Sequence, residues 1–177
     1  MGIPCTGIIL AGGLNSRFKG KNKAFAKVGN TRIIDRVYEV FTEFFDEIIL
    51  VTNDPVSYVK WDFTIVTDIF KKRSSLTGIH AGLFSANNSH AFVAACDAPF
   101  LKKEVIQTIL DKTEERFDVI IPETSRGLEP LCAVYSKRCL KPMERNIERD
   151  RFKIRLLFNK LKLRKVSEKA IYKADSE

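Results

Sequence analysis

Short apolar runs rich in isoleucine and valine alternate along the chain with longer stretches in which apolar residues recur every three or four positions. Runs of the first kind are typical of buried strands, and stretches of the second kind are typical of amphipathic helices. Their alternation predicts an α/β fold with a mostly parallel sheet. The predicted strands are 6–10, 47–52, 63–66, 90–96, 118–121, 131–135 and an edge strand at 162–166; the predicted helices are 31–45, segments around 79–84 and 105–110, 137–146 and 151–160.

Length and composition are those of one globular domain, predicted to span 1–177. The chain has 177 residues, of which 45% are hydrophobic and 29% charged, enough for one core of ordinary size. The longest apolar runs, 48–51 and 91–96, are too short to cross a bilayer, and no signal-peptide pattern opens the chain. We therefore expect a cytoplasmic protein with no membrane segment. The four cysteines have no close pair, which favours buried reduced thiols over a zinc site.

Charge is distributed unevenly along the chain, although the formal net charge is +8. Residues 1–34 carry six basic and no acidic side chains, residues 35–136 carry ten basic and sixteen acidic, and residues 137–177 carry fourteen basic and six acidic. Two cationic zones around an acidic middle fit a phosphate-rich small ligand held between the chain ends at least as well as they fit a nucleic acid. A solvated basic helix face is the alternative interpretation of the tail.

The segment 7–26 predicts a phosphate-binding loop. A short apolar strand leads into Gly12 and Gly13, which allow close backbone approach and positive φ, and Arg17 and Lys23 follow with no acidic residue before Asp35. No Gly-Lys-Ser or Gly-Lys-Thr follows the glycines, so ordinary P-loop hydrolysis has no support, and the dinucleotide pattern GxGxxG is absent.

Polar residues follow the predicted strands, where ligands bind in open parallel sheets. They include Asn53, Asp68 and Asp97. Asp97 ends a wholly apolar strand, AFVAACD, and Pro99 and Phe100 separate it from the next helix, so helix capping explains it poorly. A carboxylate in this position can supply the protein ligand of Mg²⁺, which binds one or two carboxylates together with phosphate oxygens.

This set of residues suits nucleotidyl transfer, in which an acceptor phosphate attacks the α-phosphate of a nucleoside triphosphate and pyrophosphate leaves. The reaction mainly needs charge neutralisation and in-line positioning, and it needs no protein nucleophile. We expect Arg17 and Lys23 to neutralise charge and Mg²⁺ on Asp97 to contribute to both tasks.

The stretch LAGGLNSRFKGKNKA resembles the signature LAGGxSxRMGxDKA of the molybdenum cofactor guanylyltransferase (MobA-like) group of nucleotidyltransferases. The segments 75–82, 94–100 and 127–135 are similar to three further motifs of that group, GPLAGI, CDxPF and GxxxPLxAxY, in the same order. The resemblance implies a Rossmann-like three-layer sandwich of the nucleotide-diphospho-sugar transferase, or glycosyltransferase-A, type. It also implies transfer of GMP from GTP to molybdopterin with Mg²⁺, and it leaves room for transient partners in delivery of the molybdenum cofactor.

The resemblance also implies roles for individual residues. The glycine-rich loop with its lysine would bind the GTP phosphates, the aspartate after the third strand would contact the nucleotide, and the aspartate of CDxPF would bind Mg²⁺. Catalysis would then rest on Arg17, Lys23 and Asp97. The nucleotide-binding set comprises Leu10, Ala11, Gly12, Gly13, Lys23, Asp68 and Asp97, with Asp97 as the metal ligand. The acceptor would approach between 74–78, 129–131 and the basic tail, where Arg151, Lys153 and Arg155 are candidate phosphate contacts.

Departures from the signature leave other interpretations open. Phe18, Lys19 and Asn22 replace the family's Met, Gly and Asp, and nothing after Tyr172 resembles its closing FxNxNTPxDL segment. Either the chain stops short of its natural terminus or it lacks part of the pterin site. The alternatives are a cytidylyltransferase or another nucleotidyltransferase of the same fold, a catalytically silent nucleotide-binding protein and, less favoured, nucleic-acid binding through 137–177.

Overall fold

The structure, a computed structural model, describes residues 2–12, 23–98 and 101–173. Its strands are β1 (Cys5–Leu10), β2 (Lys27–Val28), β3 (Thr31–Arg32), β4 (Ile48–Val51), β5 (Thr64–Val66), β6 (His90–Ala95), β7 (Val119–Thr124), β8 (Gly127–Leu128), β9 (Cys132–Ser136) and β10 (Leu163–Ser167). Its α-helices are α1 (Ile33–Thr42), α2 (Ser75–Ser85), α3 (Lys103–Asp111), α4 (Leu140–Glu148), α5 (Arg155–Phe158) and α6 (Glu168–Lys173).

Within the described residues, one central sheet has the strand order β10-β7-β9-β6-β1-β4-β5, and β8 pairs with the end of β7. Strands β1, β4, β5, β6, β7 and β10 point the same way, whereas β8 and β9 run opposite to them. The chain builds outward from β1 to β5 and then returns to β6 on the other side of β1. This reversal creates a topological switch point, and the crevice where such sheets bind ligands lies there, beyond the carboxyl ends of β1 and β6.

Helices cover both faces of the sheet, because its central strands are apolar on both sides. Ile8 of β1 belongs to a core with α2, α4 and α5, whereas the next residue, Ile9, belongs to a core with α1, α3 and α6. Alternate residues of β6 divide in the same way. The predicted α/β class, with its mostly parallel sheet between two helical layers, is therefore confirmed.

Two predicted helices differ from the observed ones. The segment 31–45 begins as strand β3, which pairs with β2, and only then becomes α1. The segment 151–160 is helical only in α5, and the chain reverses before it at Asp150, whose φ of 56° ends the preceding helix. Sequence periodicity also missed the β2–β3 and β7–β8 hairpins and helix α6, because short pairings and end helices carry little periodic signal.

None of the helices in the described part of the chain combines the length and apolarity needed to span a bilayer.

Gly7 allows α1 and the turn after it to pack directly on β1. A Cβ atom added there would lie 2.6 Å from Phe45 Cδ2 and 2.7 Å from Phe41 Cδ1, and both rings are buried. We predict that Gly7→Ala destabilises the fold by about 1–3 kcal/mol, since overpacking forces buried side chains to move. Gly2→Ala is the matched control, because nothing lies within 4 Å of its added Cβ. Urea unfolding of both variants tests this, and equal stabilities would contradict it.

Candidate active site

The backbone joins the ends of three neighbouring strands at the switch point. Cys96 N donates to Leu10 O at 2.9 Å, and Ala11 N donates to Val51 O at 2.8 Å. The residues that follow β1, β4 and β6 therefore leave the sheet side by side. Among the predicted phosphate-binding residues, Leu10, Ala11 and Gly12 lie here.

Gly12 is exposed and does not use a positive φ, contrary to what its residue type suggested. An added Cβ would come no closer than 3.6 Å to Asn53 Nδ2, so the packing of the described residues does not itself require a glycine. A glycine here instead leaves the peptide uncovered, as close approach by a phosphate needs. Gly13 and Arg17, like the departures at Phe18, Lys19 and Asn22, lie outside the described residues.

Lys23 and Asp97 come together across the crevice, although they are far apart in sequence. Lys23 Nζ lies 3.5 Å from Asp97 Oδ2, and their side chains are 36% and 48% exposed. Lys23 opens a 3-10 turn, Lys23–Phe25, and Asp97 lies in the turn after β6. The structure thus brings together a cation and a carboxylate that are both partly exposed to solvent.

An aromatic cluster anchors the turn that carries Lys23. Ala24 is fully buried, and the Phe25 ring packs 5.0 Å from Tyr58 and 6.0 Å from Trp61. Because Phe25 is only two residues from Lys23, this packing limits the positions that the ammonium group can reach. Sequence reasoning gave these aromatic residues no role, since their contact is visible only in three dimensions.

An ion pair between Arg32 and Asp35 contacts the same cluster at Trp61. Arg32 Nε donates to Asp35 Oδ2 at 2.7 Å, and Trp61 Nε1 donates to Asp35 Oδ1 at 3.2 Å. The hydrogen bond from Arg32 is the main reason that the pKa of the Asp35 carboxyl lies below its usual value. The Arg32 guanidinium also lies 4.9 Å from the centre of the Trp61 ring, a cation–π distance.

Asp68 has one carboxylate oxygen that is buried without a hydrogen-bond partner among the described residues. Its Oδ2 accepts a hydrogen bond from Asn53 Nδ2 at 2.8 Å, whereas its Oδ1 is buried and has no hydrogen-bond partner among the described residues. Leaving a buried acceptor unpaired is costly, so this oxygen fits a ligand that brings an N–H or O–H group. Asn53 follows β4, and its position at a strand end was the signal by which the sequence could have assigned it to the site.

The acidic side chains of the described residues do not form a complete metal-binding site by themselves. Across the described ranges, no group of three or more His, Cys, Asp or Glu residues is arranged to hold a metal ion. Mg²⁺ commonly binds one or two carboxylates and takes its other ligands from phosphates and water. The accessible Asp97 carboxylate therefore fits a metal that arrives with a triphosphate.

Cys96 precedes Asp97 but is not suited to act as a nucleophile. Burial, with a further contribution from the Asp97 carboxylate, raises the pKa of its thiol to about 12. A thiol with so high a pKa stays protonated at neutral pH and reacts slowly. No described cysteine forms a disulfide; Cys139 is buried and the other three are partly buried.

Comparison with known proteins identifies the family. The model of the MobA-like NTP transferase domain matches residues 7–165. The chain belongs to the MobA-like NTP transferase family. A protein of Desulfosudis oleivorans named molybdenum cofactor guanylyltransferase is 47% identical over 97% of this chain and 85% of its own length. A probable molybdenum cofactor guanylyltransferase of Clostridium perfringens is 37% identical over 78% of this chain and 69% of its own length.

A solved structure supports the same family relationship. Molybdopterin-guanine dinucleotide biosynthesis protein A from Archaeoglobus fulgidus superimposes with a TM-score of 0.83 at 27% identity, covering 97% of this chain and 87% of that one. The predicted resemblance is thereby confirmed, and with it membership in a family of nucleotidyltransferase enzymes.

We predict that Asp68→Ala weakens triphosphate binding about 10- to 100-fold, the effect of losing one hydrogen bond to a charged group. The chain's single tryptophan, Trp61, reports binding by fluorescence because it packs on Phe25, beside Lys23. Asp46→Ala is the control, since Asp46 is exposed and precedes β4 at the opposite edge of the sheet. An unchanged affinity in Asp68→Ala would exclude this aspartate from the binding site.

Proposed function

We propose that the protein transfers GMP from GTP to the terminal phosphate of molybdopterin and releases pyrophosphate. The observation that carries the proposal is the approach of Lys23 Nζ to Asp97 Oδ2 at the switch point where β1 and β6 end side by side. The relatives named molybdenum cofactor guanylyltransferase support the choice of guanine nucleotide and acceptor.

In this proposal the triphosphate lies over the ends of β1 and β6. The uncovered backbone at Gly12 receives phosphate oxygens, and the Lys23 ammonium group neutralises charge on them. Asp68 Oδ1 accepts a hydrogen bond from the nucleoside, which satisfies its unpaired buried oxygen. These contacts fix the α-phosphate in place, and positioning of this kind contributes much of the rate of phosphoryl and nucleotidyl transfer.

Asp97 is the residue that would hold Mg²⁺. A bound metal ion would supply positive charge for the phosphate oxygens and for the departing pyrophosphate. The carboxylate itself has a second task, because it holds Lys23 at the crevice before the nucleotide arrives. Arg17 is proposed to share the neutralisation of phosphate charge, as expected from the sequence.

We predict that Lys23→Ala and Asp97→Asn each lower pyrophosphate release with GTP and molybdopterin about 100-fold or more, because each removes charge stabilisation from the transition state. Lys27→Ala is the matched control for the lysine, since Lys27 is exposed on β2 four residues away. Both substituted side chains are substantially exposed, so the thermal unfolding midpoint of each variant should stay close to that of the wild type.

The same assay separates the alternatives. Faster turnover with CTP than with GTP would favour a cytidylyltransferase. Binding of GTP and molybdopterin by the wild type, without pyrophosphate release above that of Asp97→Asn, would favour a silent nucleotide-binding protein and contradict the proposal.

Removal of divalent cations should stop the reaction but leave the fold intact. Among the described residues, no group of three or more His, Cys, Asp or Glu side chains is arranged to hold a structural metal ion. We therefore expect a chelator to abolish pyrophosphate release, added Mg²⁺ to restore it, and the thermal unfolding midpoint without nucleotide to stay the same. Full turnover in chelator would argue against a metal at Asp97.

A further inference from the structure

The β7–β8 hairpin borders the crevice. Ile120 of β7 pairs with Val134 of β9, and Glu123 pairs with Leu128 of β8, so β8 continues the line of β9 along the same side of β7. Strand β9 itself pairs with β6 only as far as Ala94. Residues 127–131 therefore extend past the end of β6, on the side of Asp97 away from β1.

The Arg155 guanidinium lies against this hairpin at Gly127. Gly127 has a φ of 110°, and a Cβ added to it would lie 3.2 Å from one terminal nitrogen of Arg155 and 3.8 Å from its Cζ. The guanidinium thus rests on the hairpin backbone at a place where the glycine presents no side chain. Arg155 is exposed, and it forms no ion pair with any residue in the described ranges.

A second contact holds the segment that leads into Arg155. Lys72 Nζ lies 2.5 Å from Asp150 Oδ1 and 5.8 Å from the centre of the Phe152 ring. Lys72 belongs to the loop that follows Asp68, so this contact connects the proposed nucleotide side of the crevice to the beginning of α5. Lys72 thereby pairs with Asp150, which is the only acidic residue in 149–155.

The charge of this segment is therefore strongly positive where it faces solvent. Four exposed basic residues lie in 149–155, and the single acid among them is already paired with Lys72. An arginine guanidinium binds two phosphate oxygens at once, a geometry that a lysine cannot reproduce. An arginine without an acidic partner beside a proposed nucleotide site fits a phosphorylated ligand.

We propose that Arg155 binds the phosphate-bearing acceptor and that the Lys72–Asp150 ion pair positions it. This inference rests on the proposed function. Gly12 follows β1 and Asp68 follows β5, so both lie on one side of Asp97, whereas the β7–β8 hairpin and Arg155 lie on the other. The two substrates would then meet above β6.

The chemical step leaves Arg155 unchanged. An oxygen of the acceptor phosphate forms a bond to the α-phosphorus of GTP, and the bond between that phosphorus and the oxygen leading to the β-phosphate breaks. The electron pair of the broken bond leaves with pyrophosphate. Arg155 forms no covalent bond, so it is a recognition residue whose removal should weaken acceptor binding selectively.

We predict that Arg155→Ala raises the KM for molybdopterin about 10- to 100-fold and leaves the KM for GTP within twofold. Arg155→Lys should recover only part of the lost affinity, because lysine keeps the positive charge but lacks the planar guanidinium that binds two phosphate oxygens. Arg145→Ala is the matched control, since Arg145 is exposed on α4 and forms no ion pair with the described residues. Equal thermal unfolding midpoints for the variants and the wild type would exclude misfolding.

The positioning role is tested at the other end of the segment. Lys72→Ala should raise the KM for molybdopterin less than Arg155→Ala does, with kcat and the KM for GTP little changed. Adding Lys72→Ala to Arg155→Ala should have almost no further effect, because the ion pair acts through Arg155. Lys71→Ala, at the neighbouring exposed lysine, serves as its control.

Direct binding separates failure of this inference from failure of the proposed function. Equilibrium dialysis with molybdopterin alone should show weaker binding by Arg155→Ala than by the wild type. If the wild type turns over GTP and molybdopterin but Arg155→Ala keeps a normal acceptor KM, the inference is wrong and the proposed function stands. If the wild type does not bind molybdopterin, both are overturned, and an equal loss of affinity for both substrates would also contradict selective recognition.

Discussion

The parallel pairing of β1 with β6 is the constraint on which the rest of the site depends. The two strands stay in register from Cys5 opposite His90 to Leu10 opposite Ala95, and the bond from Cys96 N to Leu10 O continues the ladder by one step. This register fixes the points at which the chain leaves the sheet after β1 and after β6. A single slip of register would move Asp97 by one residue and turn its side chain toward the opposite face.

Burial on both sides maintains that pairing. Ile8 and Ile9 point to opposite faces, and both are fully buried. Close approach of α2 adds to this, since a Cβ on Gly82 would lie 2.7 Å from Ile8 Cγ2. Because α2 packs so tightly on β1, its first turns lie against the carboxyl edge of the sheet. There, a Cβ on Gly78 would lie 3.9 Å from Asp68 Oδ1, so the first turn of α2 packs directly beside the Asp68 carboxylate. Core packing thus sets the shape of the proposed nucleotide site.

The sequence predicted the elements and the strand-end residues better than the contacts that hold them. Parallel strands bring their carboxyl ends to one edge, so strand order in the sequence was enough to associate Asp97 with the loop after β1. The hydrogen bond from Asn53 to Asp68 and the packing of Phe25 on Trp61 join segments far apart in the chain, and no local pattern encodes them. The functional roles of all the predicted site residues, Gly13 and Arg17 among them, stay predictions.

Lys23 and Arg155, one from each cationic zone of the chain, approach the crevice from opposite faces of the sheet. Lys23 adjoins the core formed by α1 and α3, whereas Arg155 begins α5, which packs into the core with α2. Three other basic residues of the tail are paired with acids: Arg138 with Asp118, Arg164 with Glu114 and Lys165 with Glu123. A nucleic-acid surface would need basic residues that are free over a long stretch, because its affinity comes from many phosphate contacts. Arg155, which has no ion pair among the described residues, lies against the hairpin beside the crevice, a position that suits the compact phosphorylated ligand proposed above.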